Sequence, residues 1–159
     1  MRSTSFVLGR VRRAHAHGYV PFGPPFRTVP GGLGDTEQLN GSSAWGDELV
    51  TTAPDLDRFF RALFTGRVIP HSLVRLMQAG RPTKAGPMHP PLYGLGLEEQ
   101  RYRCGRAWGH AGDTFGYTAV VRASRDARKL VVLLVNRDFS SPALTARVNA
   151  TIPALYCNR

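Results

Sequence analysis

At 159 residues the chain has the length of one domain, and folding at that size buries roughly 70% of the unfolded surface. Hydrophobic residues at 42% and charged residues at 20% exclude a wholly disordered or collagen-like chain, and no run nears the roughly 20 apolar residues of a membrane-spanning helix. The net charge is +10, yet the arginines are scattered from Arg2 to Arg159 with no run denser than "RVRR" at 10–13, so a GC-rich coding bias accounts for them better than a phosphate-binding face.

Residues 1–20 read as a short ordered lead-in, without the continuous apolar stretch of a signal peptide. His15 and His17 alternate as a chelating pair on a strand would, but no third ligand stands at a suitable spacing. None of His15, His17, His71 and His89 is therefore expected to hold a metal. The Gly/Pro-rich stretch 21–46 is expected to form one long irregular loop. Thr52 then caps a helix whose first turn holds Pro54, Asp55 and Asp57, with Asp55 as the acidic partner of a capping box. Leu56, Phe59, Phe60, Leu63 and Phe64 recur at helical spacing, and Gly66 stops the helix. A shorter helix follows in "PHSLVRLMQAG", with Leu73, Leu76 and Met77 on its core face.

From Tyr93 the pattern turns to extended pieces, "YGLGLEEQRYRC", "GRAWGH", "YTAVVRAS" and "KLVVLLVNRD". The last two are joined by a tight turn at 125–128, which predicts an antiparallel meander. Residues 130–135 are apolar at every position and read as a central strand covered on both faces. Leu144, Val148, Ile152 and Leu155 predict a C-terminal helix lying across that sheet, with Pro153 marking a kink. The fold class expected is α/β of the α+β type, an antiparallel sheet with packed helices. Cys104 and Cys157 lie 53 positions apart, which fits no zinc motif. Pairing them would contribute about 4 kcal/mol by loop-closure entropy and imply an oxidising compartment; two unrelated buried thiols fit the spacing equally well.

The order "TTAPDLDRFFRALFTGRVI", "LYGLGL", "WGHAGDTFGYTAVVRASRDARKLVVLLVN" resembles the C-terminal half of the serine β-lactamase and D-alanyl-D-alanine carboxypeptidase superfamily. The likeness runs over nearly the whole chain, residues 1–159, with "STSF" and "HAHGY" extending it toward the start. It implies that His110, Ala111 and Gly112 stand on the His-x-Gly strand that edges the substrate pocket. There the glycine admits the substrate backbone, and the first residue places a hydrogen-bonding group near the substrate carboxylate. It also implies a disulfide between Cys104 and Cys157, similar to that of secreted carboxypeptidases of actinomycete type. Ala111 departs from the usual Thr or Ser, and Glu98 and Glu99 stand where some carboxypeptidase-like members carry a basic group. Both departures weigh against recognition of a peptide C-terminus.

Acyl transfer in this superfamily uses Ser-x-x-Lys, where the lysine amine takes the serine proton. No serine here has lysine three positions later. Ser72 comes nearest, with Arg75, but a guanidinium does not accept a proton. Tyr-x-Asn occurs only as Tyr156-Cys157-Asn158, at the end of the chain. No catalytic residue is therefore expected in this chain, nor any cofactor or metal. Met1 is expected to be an internal methionine or a misassigned start. The chain would then be an inactive C-terminal fragment of an extracellular or cell-envelope hydrolase acting on a small molecule or a peptidoglycan peptide. A non-catalytic binding module using the same cleft is the alternative, and a basic nucleic-acid binder ranks last; the sequence does not indicate an oligomeric state.

Overall fold

The computed structural model describes residues 1–7, 11–21, 27–30, 32–36, 49–84, 90–137 and 142–158. In chain order the elements are β1 (Ser5–Phe6), β2 (Tyr19–Val20), β3 (Arg27–Val29), β4 (Leu33–Asp35), β5 (Leu49–Val50), α1 (Ala53–Phe64) and α2 (His71–Met77). They continue as β6 (Arg81–Pro82), β7 (Leu92–Tyr93), β8 (Glu98–Tyr102), β9 (Gly105–Thr114), β10 (Tyr117–Ala123), β11 (Leu130–Val135) and α3 (Pro142–Cys157). The main sheet runs in the order β11-β10-β9-β8-β7-β6, with antiparallel neighbours throughout. This is the α+β arrangement the sequence pattern predicts.

Helix α1 starts where Thr52 adopts an extended conformation and its side chain accepts from the Asp55 N–H, and it ends before Gly66, whose φ is +74°. Phe60, Leu63 and Phe64 are buried on one side of the sheet with Trp108, Val121 and Leu130. Asp55, expected in a capping box, instead turns its carboxylate to the start of the chain. It accepts from Arg2 N (2.9 Å), Ser3 N (2.7 Å) and Thr4 Oγ1 (2.7 Å). The reason is steric opportunity: β1 pairs with β5 immediately before α1 and so delivers three donors to the first helical turn.

Helix α2 departs from its expected face. Val74 is its buried residue, while Leu73 and Leu76 are 47% and 55% exposed. A seven-residue helix lays down less than a full stripe, and α2 docks through Val74 and Met77 against the α1 cluster.

Strand β11 is a terminal strand of the sheet, where the sequence suggested a central one. Its unbroken apolar run has a different cause. Leu130 and Val132 pack with α1, whereas Val131, Leu133 and Val135 join the clusters formed with α3, so both faces are contacted although one edge has no strand partner among the described residues. In α3, Val148, Ile152 and Tyr156 are buried and Pro153 lies inside the helix; Leu155, placed in the apolar stripe by spacing, is 44% exposed. Cys104 and Cys157 form a disulfide with Cα atoms 5.5 Å apart, tying the β8–β9 turn to the end of α3. The stretch 21–46 is not one irregular loop. Its described part contains β3 and β4, which with β2 make a small antiparallel sheet in the order β2-β4-β3.

Candidate functional site

The two flanks of β9 are unequal. On one side β10 pairs with it from Tyr117↔Thr114 to Ala123↔Trp108. On the other, β8 pairs only from Tyr102↔Gly105 to Glu98↔Gly109. Beyond Gly109 the outer edge of residues 110–114 has no strand partner among the described residues. Gly109 itself allows no larger residue, since a Cβ there would lie 1.9 Å from the Val121 carbonyl oxygen.

This open edge carries the three residues expected to contact a ligand. His110 is exposed, with Nε2 3.2 Å from the Tyr93 hydroxyl and the two rings edge to face at 6.0 Å. Ala111 is half-buried against the Val120, Val148 and Ile152 cluster. Its N–H donates outward to Glu98 Oε1 at 3.3 Å. Alternation along a strand turns every second residue's N–H and C=O to the same edge, so Asp113 N–H and C=O also face outward. At Gly112 an added Cβ would meet nothing within 4 Å, which leaves room for a ligand backbone.

Beneath the edge lies a buried ion pair that sequence spacing did not reveal. Arg122 Nη2 donates to Glu98 Oε2 at 2.5 Å, Arg122 Nη1 donates to the Val121 carbonyl at 2.9 Å, and both side chains are nearly excluded from solvent. Burial raises the pKa of neighbouring Tyr102, with Arg122 opposing the rise. Glu99 is paired separately with Arg106 at 3.2 Å. Asp113 is exposed and its Oδ1 accepts from Thr118 Oγ1 at 2.5 Å.

A cavity of about 620 Å³ opens between the sheet and the start of α1, lined by Val11, Leu56, Gly112, Thr114, Ala119 and Leu134 among others. Gly112 faces it, but His110 does not line it. Of the other histidines, His17 Nδ1 lies 3.0 Å from Asp35 Oδ2 and its ring stacks on His15. His71 opens α2, and His89 lies outside the described residues. Among the described residues no three His, Cys, Asp or Glu side chains converge on a metal-sized site, and no helix is long and apolar enough to cross a membrane. Ser72 and Arg75 are exposed on α2, and the Tyr156 hydroxyl donates to the Arg106 carbonyl; neither approaches His110 or Gly112. The arrangement offers a backbone edge, an imidazole and an apolar cavity.

A family profile described as Beta-lactamase matches residues 1–152. The fold is similar to that of a D-stereospecific amidohydrolase from Streptomyces sp., with TM-score 0.74 and 23% identity over 99% of this chain and 44% of that one. It is likewise similar to a D-amino acid amidase from Ochrobactrum anthropi SV3. In complex with L-phenylalanine amide that enzyme aligns with TM-score 0.74 and 24% identity over 98% of this chain and 46% of its own. In complex with D-phenylalanine it aligns with TM-score 0.70 and 26% identity over 88% and 42%. The chain thus spans less than half the length of the solved structures it matches.

Proposed function

The chain belongs to the Beta-lactamase family, and from that membership we propose that it is the C-terminal part of a serine hydrolase that forms an acyl-enzyme on a β-lactam, ester or D-alanyl amide bond. The observation that carries this reading is the open outer edge of β9 beyond Gly109. An extended substrate adds to such an edge as a further strand, with its carbonyl oxygen over an outward N–H that polarises it as negative charge develops. Asp113 N–H is the donor so directed, and the space at Gly112 lets the substrate backbone close on the strand. His110, steadied by Tyr93, supplies a hydrogen-bonding ring at the start of the same edge.

The nucleophile and its amine base belong, on this reading, to an upstream segment of the parent protein, because no serine of the chain has lysine three positions later. The coverage of 44% and 46% of the solved relatives supports the same division. The disulfide favours an extracellular or cell-envelope parent, since such bonds persist in oxidising compartments. Purified 1–159 is expected to give no saturable hydrolysis of nitrocefin or a p-nitrophenyl ester, whereas the gene extended upstream to an in-frame Ser-x-x-Lys should turn over one of them. A covalent penicillin or ester adduct on any serine of 1–159, seen by mass spectrometry, would refute the assignment of the nucleophile. A second reading, a non-catalytic binding module, is favoured by the apolar cavity beside Gly112. It predicts ligand binding by 1–159 and no turnover by any upstream extension.

A further inference from the structure

The outer edge of β9 is not a uniform row of free backbone groups. Its first donor beyond the end of β8, the Ala111 N–H, is already engaged by Glu98 Oε1. Glu98 is fixed there because Arg122 holds its other oxygen, and burial of the pair makes separating them costly. Four charged or titratable side chains among the described residues stand on or beneath this edge. Glu98 stands at its start, Asp113 is exposed two residues after Ala111, His110 is engaged with Tyr93, and the Arg122 guanidinium is buried against Glu98 and the Val121 carbonyl.

Resting on the hydrolase reading above, we infer that the Glu98 carboxylate on the Ala111 N–H makes this edge select substrates whose carbonyl end is a neutral amide or ester and reject those ending in a free carboxylate. A carboxylate arriving at Ala111 finds its donor taken, no hydroxyl on residue 111 itself, and Glu98 and Asp113 as like-charged neighbours. The guanidinium nearest in the contacts of Glu98, that of Arg122, is sealed beneath the strand. A neutral amide or ester needs one donor for its carbonyl oxygen, and the Asp113 N–H supplies it. Discrimination of this kind works by exclusion, through like charge and a missing partner, rather than by an added contact.

Two probes that differ only at the carbonyl end test this: D-phenylalanine amide and D-phenylalanine, each titrated into ¹⁵N-labelled 1–159 by NMR. The amide should shift the Asp113 N–H resonance and leave that of Ala111 nearly unmoved, and the free acid should bind at least about tenfold more weakly. Glu98→Ala frees the Ala111 donor and uncovers Arg122, so it should reverse the order in favour of the acid. The inference is overturned if the acid binds wild type as tightly as the amide, or if the ratio of the two is unchanged in folded Glu98→Ala. Should that variant not fold, the wild-type ratio and the contrast between Ala111 and Asp113 decide alone. Binding of both probes to β9 with equal strength, or of neither, sinks the selectivity; the hydrolase reading stands or falls separately, on turnover by the upstream-extended gene product.

Discussion

Asp55 shows how one side chain acts across a long sequence separation. Its carboxylate is fully buried and is satisfied by two backbone N–H groups, the Thr4 hydroxyl and Arg58. The Thr4 hydroxyl, ahead of the opposing effect of burial and with Arg2, Ser3 and Arg58 adding to it, holds the Asp55 pKa far below the usual carboxylate range. A folded-state pKa depressed in this way contributes stability that is present above the unfolded value of about 3.9 and lost as pH falls through the folded one. The melting temperature of Asp55→Asn should therefore lie below wild type near neutrality, with the gap closing as pH drops to about 2. Thermal unfolding by circular dichroism across that range measures it, and a gap that stays constant would assign the loss to packing instead. At this scale the sequence was half legible. Thr52 announced itself as a cap because its partner lies three residues on, whereas Arg2, Ser3 and Thr4, which join Arg58 on the Asp55 carboxylate, lie more than fifty residues back and left no local signature. Glu98 on Ala111 and Tyr93 on His110 likewise left no local signature, since these pairs meet only because Tyr93, Glu98 and Gly109 stand in register across β7, β8 and β9.

Elements were legible where periodicity alone decides them. The caps, spacing and stop of α1 agree with one another, and the two extended runs of β10 and β11 with the tight turn between them read as a hairpin, closed by Ser124 N donating to the Lys129 carbonyl at 2.8 Å. Strand order was not legible, since an apolar run reports how many faces are covered and says nothing of edges. The β3–β4 hairpin was missed although "VPGG" carries a turn signal, with Gly32 at φ +74° in the region that favours glycine. The disulfide acts at the same scale. It joins the β8–β9 turn to α3 beside the Tyr102 and Tyr156 rings, which meet at 5.3 Å with their planes tilted by 56°, and closes a 53-residue separation, so removing it with Cys104→Ala and Cys157→Ala together should cost about 4 kcal/mol. Denaturant unfolding of the oxidised chain and the double variant gives that difference, and a loss under about 1 kcal/mol would mean that residual contacts already restrain the unfolded chain.

For the whole molecule, the family was legible because several weak motifs occur in a fixed order, and no one of them would have carried it alone. What no motif conveys is how much of the surface is left uncovered. The cavity beside Gly112 opens on the α1 side of the sheet, with Leu134 lining it at 41% exposure. Among the described residues no strand pairs with the outer edge of β11, a run of six residues without a charge or proline. Natural edge strands are usually protected by charge, proline, a bulge or a covering element, because a bare apolar edge templates pairing with another chain. The net charge of +10 opposes association at long range, but at physiological salt exposed charges are screened beyond about 8 Å, and a strand edge acts at contact distance. Purified 1–159 should therefore bind a hydrophobic dye and self-associate with rising concentration, more so as salt is added. Substituting Val132→Lys, which places a charge within the run, should reduce association at some expense in stability, because Val132 packs against the α1 cluster. Sedimentation velocity over a concentration series distinguishes the outcomes: a single monomeric species at every concentration and salt would show that the edge of β11 is protected and that the chain is a self-sufficient module, as the non-catalytic reading requires.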